Sequence, residues 1–259
     1  MSLRIGYDFT AWDAATITSN TEASADLADD NAIDPQPSKI YRTSGDTGEW
    51  IKFDLGAAVN LTQFFIANHN LTSAATLTHE AHTSDSWGTP DHTQALTITT
   101  DADSDVIPFI NYFPSGGVNK RWHRFTVEDG ANPDTYIEFG VIKGCAYYQP
   151  PRNIRDGYSW QRVDRSIKQD VEGTYTEAID KGTSRKLSIG IPFSEQTQND
   201  KFDAIFRKVK NVNPLVVSVG SANRVEDTIY CRLLTPLRMV HTITTTFDIG
   251  VLTFGELVD

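Results

Sequence analysis

A tryptophan in a polar, turn-rich segment is the residue best suited by its surroundings to contact a ligand. Trp87 lies in Ser84–Pro90 (SDSWGTP), where small and turn-forming residues flank the ring. An exposed indole can stack on the apolar face of a sugar while nearby carboxylates and hydroxyls bond the sugar hydroxyls. The sequence therefore makes Asp85 and Trp87 candidate ligand-binding residues. The alternative is that the ring folds back and covers the end of a β-sandwich.

Three acidic residues have the spacing of the first ligands of a calcium loop. Asp101, Asp103 and Asp105 alternate as such ligands do, but Val106 and Tyr112 stand where the loop needs Gly and Glu. A solvated acidic turn is the simpler interpretation. Any calcium bound here would be structural, and we expect no other cofactor.

Four histidines fall within 24 residues: His69, His79, His82 and His92. A strand over residues 76–82 would point His79 and His82 to opposite faces. The spacing therefore predicts no zinc site.

The sequence contains none of the common catalytic motifs. G-x-S-x-G, the P-loop, G-x-G-x-x-G and H-E-x-x-H are all absent. The 34 acidic residues show no obvious pair of the kind that glycosidases use. We therefore predict that the protein is not an enzyme.

The composition is that of a globular protein. The chain has 259 residues, 39% apolar and 22% charged, enough for one large or two medium domains. No run approaches the roughly 18 apolar residues of a membrane span, and the start MSLRIGYDFTAWD predicts no signal peptide. Cys145 and Cys231 are too few for a secreted disulfide scaffold, so we predict reduced, buried thiols and folding in a cytoplasm.

Charge divides the chain into two unequal halves. Residues 1–150 contain 20 acidic and 8 basic side chains, a net charge of −12, whereas residues 151–259 contain 14 and 15, a net charge of +1. The two prolines in Gln149–Arg152 would stop a strand at the same place. We therefore predict two domains, 1–150 and 151–259. The acidic first domain would repel phosphate backbones, so we expect no nucleic-acid partner.

Alternation of polar and apolar residues predicts an all-β sandwich in the first half. We expect a long loop over 21–40, no helix, and a strand that ends at Gly56. Trp50 and Trp122 are predicted to lie in the core. The predicted strands are 50–55, 61–67, 95–99, 106–110, 121–127, 136–142 and 146–148.

The second half is also predicted to be mainly β, with one amphipathic helix at about 199–211. Phe202, Ile205, Phe206 and Val209 have the helical spacing, and Asn199 or Asp200 can cap its start. The Thr-rich segments 240–247 and 251–257 are predicted to form a long hairpin around Asp248–Gly250. The other predicted strands are 185–191, 215–219 and 228–234. The expected architecture is a β-sandwich or barrel with one helix.

Several segments of the first half resemble the discoidin, or coagulation-factor type C, family of galactose-binding-like domains. The resemblance covers about residues 8–148, and the WIKFDLG block is its most specific part. The matching segments, in order, are Asn31–Asp34 (NAID), Tyr41–Ser44 (YRTS), Glu49–Gly56 (EWIKFDLG), Asn60–Ile66, Lys120–Phe125 and Ile137–Cys145.

This resemblance implies an eight-stranded antiparallel jelly roll that binds glycans, lipids or proteins through loops at one end. The ligand loops of the family do not carry over residue by residue. Tyr41 and Arg42, which lie in the second matching segment, are two further candidate ligand-binding residues beside Asp85 and Trp87. Members of the family often tie their two ends with a disulfide. Cys145 stands at the closing end, but no cysteine precedes it, which fits folding in a reducing compartment.

The second half resembles, in pattern rather than motif, the tail-tube-like domains of bacteriophage distal tail and baseplate proteins. The resemblance covers about residues 155–257 and rests on one helix beside a sandwich, a long hairpin and the ending Val251–Leu257. It implies a ring of identical subunits at a tail tip. Closed rings suit extended hairpins, because they leave no strand edge unpaired.

Two functions from different classes follow. The first is a structural component of a phage tail tip or baseplate: a homo-oligomeric ring with tail-tube and hub proteins as neighbours, made in the host cytoplasm, located in the virion and displaying a jelly roll toward host-surface glycan. The alternative is a carbohydrate-binding, lectin-like module that acts without ring assembly. Neither function needs membrane insertion.

Overall fold

Strands account for most of the regular structure in the computed structural model of this chain, as the alternating sequence predicts. The candidate calcium ligands Asp101, Asp103 and Asp105 lie outside the described residues, so the calcium site stays a prediction. The structure describes residues 2–98, 108–151, 157–171, 175–179, 181–191, 194–220, 225–236, 240–243 and 246–258.

Two antiparallel sheets face each other in the first half and form the predicted jelly-roll sandwich. The outer sheet contains, in spatial order, β2 (Thr16–Ser19), β4 (Glu49–Leu61), β9 (Val118–Glu128), β6 (Thr76–His82) and β7 (His92–Leu96). The inner sheet contains β3 (Tyr41–Arg42), β10 (Glu138–Cys145), β5 (Gln63–His69) and β8 (Phe109–Tyr112). The core of the sandwich lies between them.

Two local features of this half differ from the prediction. Gly56 does not end its strand: β4 continues to Leu61 through a bulge between Asp54 and Val59, where Gly56 has a φ of 74°. Short helices are also present in the residues that precede β3. They are α1 (Thr10–Asp13) and two 3₁₀ turns, Ala25–Leu27 and Asp29–Ile33.

The second half is built on a seven-stranded antiparallel sheet, called the long sheet below. Its spatial order is β11 (Tyr147–Tyr148), β1 (Leu3–Gly6), β17 (Leu215–Val219), β18 (Thr228–Leu233), β21 (Gly250–Glu256), β15 (Thr183–Ile191) and β12 (Tyr158–Asp164). The remaining elements are a 3₁₀ turn (Val225–Asp227), a ribbon of β13 (Ile167–Val171) and β14 (Tyr175–Ile179), and a small sheet of β16 (Ser194–Glu195), β20 (Thr246–Asp248) and β19 (Val240–Ile243).

The predicted helix is α2 (Gln196–Val209), which begins three residues before the predicted start. Its buried residues Phe202, Ile205 and Val209 join the core that covers one face of the long sheet. Apolar periodicity could not reveal the first turn, because the residues there, QTQ, are polar.

The first strand of the chain belongs to the long sheet. Residues 3–6 pair with 216–219 on one side and with 147–148 on the other, and Leu3 and Ile5 lie in the core under α2. The jelly roll is therefore inserted between two strands of this sheet. The division into domains at residue 150 stays a prediction.

The predicted hairpin of 240–247 and 251–257 does not form among the described residues. β20 pairs with β16 and β19, whereas β21 pairs with β15 and β18. The chain crosses from one sheet to the other at the buried Ile249. Thr-rich alternation indicates strands, but it does not specify which strands pair.

The inner sheet is covered on both faces. Phe64 and Ile66 of β5 face the jelly-roll core, while Phe65 and Ala67 pack against the long sheet. Both cysteines are buried free thiols, as predicted, and burial raises the pKa of each. Within the described ranges, no helix is both long and apolar enough to span a membrane.

Histidines lie inside the jelly roll. His79 and His123 are fully buried, with parallel rings and a hydrogen bond of 3.1 Å between Nε2 of His79 and Nδ1 of His123. His82, on the same strand as His79, is on the opposite face, as predicted. Burial lowers the pKa of His123 to about 3 and that of His79 well below its usual value.

We predict that acid weakens this core. The folded pKa values are depressed, so the stabilisation by neutral rings is complete above pH 6.5 and declines as pH falls toward the folded values. The free energy of unfolding should drop by roughly 1 kcal/mol per buried histidine for each pH unit below 6.5. Urea denaturation between pH 7.5 and 5 measures this slope. His79→Phe should reduce the slope of the free energy of unfolding against pH more than His82→Gln does. Equal slopes in the two variants would show that the buried His79 ring does not cause the pH dependence.

Gly6 of the long sheet lies close against the inner sheet and leaves no room for a side chain. A Cβ at this position would lie 2.5 Å from Sγ of Cys145 and 2.6 Å from Cγ1 of Val216. We predict that Gly6→Ala lowers the free energy of unfolding by about 1–3 kcal/mol through overpacking. Gly88→Ala is the matched control, because a Cβ there meets nothing within 4 Å. Thermal denaturation that finds equal effects would contradict the predicted packing.

Candidate functional site

The outward face of the outer sheet carries large aromatic and charged side chains. Along β4, Ile51 and Phe53 point into the core, so Trp50, Lys52 and Asp54 point outward. The prediction that Trp50 and Trp122 lie in the core is therefore wrong: both are only partly buried. The inward positions of β4 and β9 are already filled by apolar residues such as Phe53 and Phe125, so the indoles lie on the outward face.

Lys52 connects the two tryptophans. Its Nζ lies 5.5 Å from the ring centroid of Trp50 and 5.2 Å from that of Trp122. The register of the sheet produces this arrangement, since Lys52 lies opposite Arg124 and Asp54 lies opposite Trp122. An ammonium between two indoles holds both rings in place through cation–π attraction.

The loop between β6 and β7 folds onto this face and adds the third indole. Asp85 accepts hydrogen bonds from Nε1 of Trp87 at 2.6 Å and from Nζ of Lys52 at 2.8 Å. The guanidinium of Arg124 lies 4.4 Å from the ring centroid of Trp87. The hydrogen bond from Lys52 holds the pKa of Asp85 below its usual value. The predicted candidates Asp85 and Trp87 are thus neighbours of Trp50 and Trp122.

Ion pairs fix the charged residues around the indoles. Arg121 donates to both carboxylate oxygens of Asp54, at 2.6 and 2.7 Å, and these bonds hold the pKa of Asp54 low. Four cations and four carboxylates pair across the face: Lys52 with Asp85, Lys120 with Asp91, Arg121 with Asp54, and Arg124 with Glu80. We call these eight residues and Trp50, Trp87 and Trp122 the outer-face cluster.

The outer-face cluster combines flat aromatic surface with many hydrogen-bonding groups and no net charge. Such a surface suits an uncharged, polyhydroxylated ligand, because indoles contact C–H faces while carboxylates and ammonium groups bond hydroxyls. A polyanion would need excess positive charge, which the balanced pairs do not provide.

Tyr41 and Arg42 belong to β3 of the inner sheet, whereas the strands of the outer-face cluster belong to the outer sheet. Tyr41 is fully buried, and its hydroxyl donates to the carbonyl of Thr21 at 2.9 Å. Arg42 is at the surface, with Nε 2.7 Å from Glu138 and its guanidinium 4.2 Å from the Tyr136 ring centroid. Burial therefore gives Tyr41 a structural position, and ligand binding by either residue stays a prediction.

No group of three or more His, Cys, Asp or Glu side chains within the described ranges is placed to hold a metal ion. Sequence reasoning placed Asp85 and Trp87 in a candidate site but missed the cluster around them. The alternation of β4 indicated the cluster, because in a strand Trp50 points to the same face as the polar Lys52 and to the opposite face from the apolar Ile51.

No family model and no curated protein sequence matches the chain. Its structure is similar to the lectin domain of lectinolysin complexed with Lewis B antigen, at 12% identity and a TM-score of 0.40, covering 51% of this chain and 93% of that one. A fucose-binding module from Streptococcus pneumoniae shows 12% identity, a TM-score of 0.41 and coverage of 52% and 96%. A chitosan-binding module from Paenibacillus sp. IK-5, in complex with chitotriose, shows 17% identity, a TM-score of 0.39 and coverage of 51% and 96%.

Proposed function

We propose that this protein binds carbohydrate through the outer-face cluster and performs no catalysis there. The observation that carries the proposal is the grouping of three partly buried indoles on one sheet face, each beside a cation: Lys52 near Trp50 and Trp122, and Arg124 at Trp87. Folding does not require large apolar side chains on a solvent-facing sheet surface, and grouped ones mark binding sites.

The pairing of charges supports a glycan that carries no charge. Each carboxylate in the cluster is paired with one Lys or Arg side chain, and its remaining lone pairs can accept from sugar hydroxyls. Asp85 and Lys52 are already fixed to each other at 2.8 Å, so little side-chain entropy is lost when a ligand arrives.

The first test is a glycan array, followed by calorimetric titration with the best ligand. Trp50→Ala and Trp122→Ala should each weaken binding about tenfold, because each removes a stacking surface. Trp87→Ala should also weaken binding and spare folding. A large loss of thermal stability on Trp87→Ala would instead show that this ring is needed to hold the loop and the sheet together.

Trp160→Ala is the matched control for these variants. Trp160 is also a partly buried indole beside a cation, 5.5 Å from the guanidinium of Arg185, but it belongs to the long sheet. It should leave glycan affinity unchanged. Binding to no glycan on the array, or an equal loss of affinity in Trp160→Ala, would contradict the proposal.

A second candidate function is a ring-forming component of a phage tail tip or baseplate, located in the virion and contacting tail-tube and hub proteins. The ribbon of β13 and β14 favours it. Ile167 and Ile179 face each other across this ribbon and are 53% and 52% exposed. The net charge of +1 in residues 151–259 would allow copies to approach, and the jelly roll would then be displayed for glycan binding.

Light scattering after size exclusion tests the assembly. We expect the full chain to form a closed oligomer, and Ile167→Lys/Ile179→Glu to dissociate it by placing charge at the contact. Val212→Lys/Leu234→Glu is the control, since these residues are 67% and 48% exposed and lie outside the ribbon. A full chain that stays at the monomer mass, or equal dissociation of both variants, would contradict assembly through the ribbon.

A further inference from the structure

A cavity of about 520 Å³ lies at the junction of the two halves, and it shares no residue with the outer-face cluster. One wall comes from the segments around Tyr7 and Asp34, and the other from the end of α2 and the turn at Pro214. Its volume lies within the usual range of small-molecule sites.

The walls of the cavity are fixed to each other by direct contacts. Nζ of Lys208, in the last turn of α2, donates to the hydroxyl of Thr10 at 2.7 Å and lies 3.2 Å from Asp8. The hydroxyl of Tyr230, on the long sheet, donates to the carbonyl of Pro35 at 3.2 Å. These bonds join both halves beside the cavity, so the cavity exists before any ligand binds.

A buried lysine lies in the lining. Lys143 of β10 is 2% exposed, and its ammonium donates to the carboxylate of Asp13 and to the carbonyl of Ile33. Asp13 therefore serves as the counter-ion of Lys143 and is not available to a ligand as a free charge.

Negative charge exceeds positive charge around this cavity. Asp8 pairs with Lys208 and Lys39 pairs with Asp34, so these two pairs cancel. The lining carries three carboxylates and two ammonium groups: Asp13, Asp30, Asp34, Lys143 and Lys208. Since Lys143 neutralises Asp13, one negative charge remains, that of Asp30, which has no ion-pair partner among the described residues.

We propose that this cavity binds a small organic monocation, whose ammonium group lies near Asp30 and whose apolar body contacts Tyr7, Pro35 and Pro214. The carboxylate of Asp30 is exposed at the cavity and would pair with an ammonium group, and the proline and tyrosine rings offer apolar surface to the rest of the molecule. The net charge of −11 on the whole chain acts in the same direction.

The pKa of the neighbouring Asp29 is consistent with the same excess of negative charge. Burial raises its pKa, and the charges of Glu22 and Asp30 raise it further. A cation bound nearby would reduce the electrostatic repulsion between these carboxylates.

Titration of the full chain with benzylamine, followed by two-dimensional NMR at low ionic strength, tests the proposal. Benzyl alcohol is the matched probe, with the same ring and no charge. Benzylamine should give saturable shifts at the amides of 30–34, and benzyl alcohol should bind at least about fivefold more weakly. Equal affinities for the two probes, or no saturable shift, would overturn the proposal.

Two aspartates of one loop separate local binding from the general field of the protein. Asp30→Asn should weaken benzylamine about fivefold. Asp26→Asn removes the same charge from an exposed position outside the lining and should have little effect. Equal effects of the two variants would assign the attraction to net charge and overturn the site. Neither probe reports on the tryptophans, so this test and the glycan test fail independently.

Discussion

A chain of hydrogen bonds between buried polar side chains joins the inner sheet to the long sheet. Nε2 of Gln63 donates to Asn111 at 3.0 Å, Nδ2 of Asn111 to the hydroxyl of Thr228 at 3.2 Å, and that hydroxyl to Ser218 at 3.0 Å. A buried polar group without its partner costs about 1–3 kcal/mol. The bond between Asn111 and Thr228 is the one of these three that crosses between the sheets. Another register of the two sheets would break it and leave buried polar groups without a partner, so this bond favours the observed meeting of the two halves. The cavity at their junction depends on this register.

This contact also explains which surface of the jelly roll is open. Because the long sheet covers the inner sheet, among the described strands of the sandwich it is the outer sheet that presents a face to solvent. The three indoles lie on that face, where polar residues would serve folding equally well. Their presence there therefore needs a reason other than the core, and contact with a ligand is such a reason.

Elements that depend on local pattern could be predicted from the sequence, whereas long-range pairing could not. The apolar spacing of Phe202, Ile205 and Val209 indicated α2, and alternation indicated most strands. No local signal shows that residues 3–6 pair with 216–219, because that pairing depends on residues at the other end of the chain. The outward direction of Trp50 was predictable, since Ile51 and Phe53 already occupy the inward positions of β4.

Charge gives the two candidate surfaces different chemistry within one acidic protein. On the outer face, each carboxylate has its own cation, so long-range attraction is weak and recognition must come from stacking and hydrogen bonds at short range. At the cavity, Asp30 has no ion-pair partner among the described residues, so the proposed cation would be attracted by charge as well as by shape. A glycan on the outer face and a cation in the cavity therefore need not compete. Because the two halves are joined through a buried contact, a cation that stabilises the junction would also stabilise the orientation of the jelly roll.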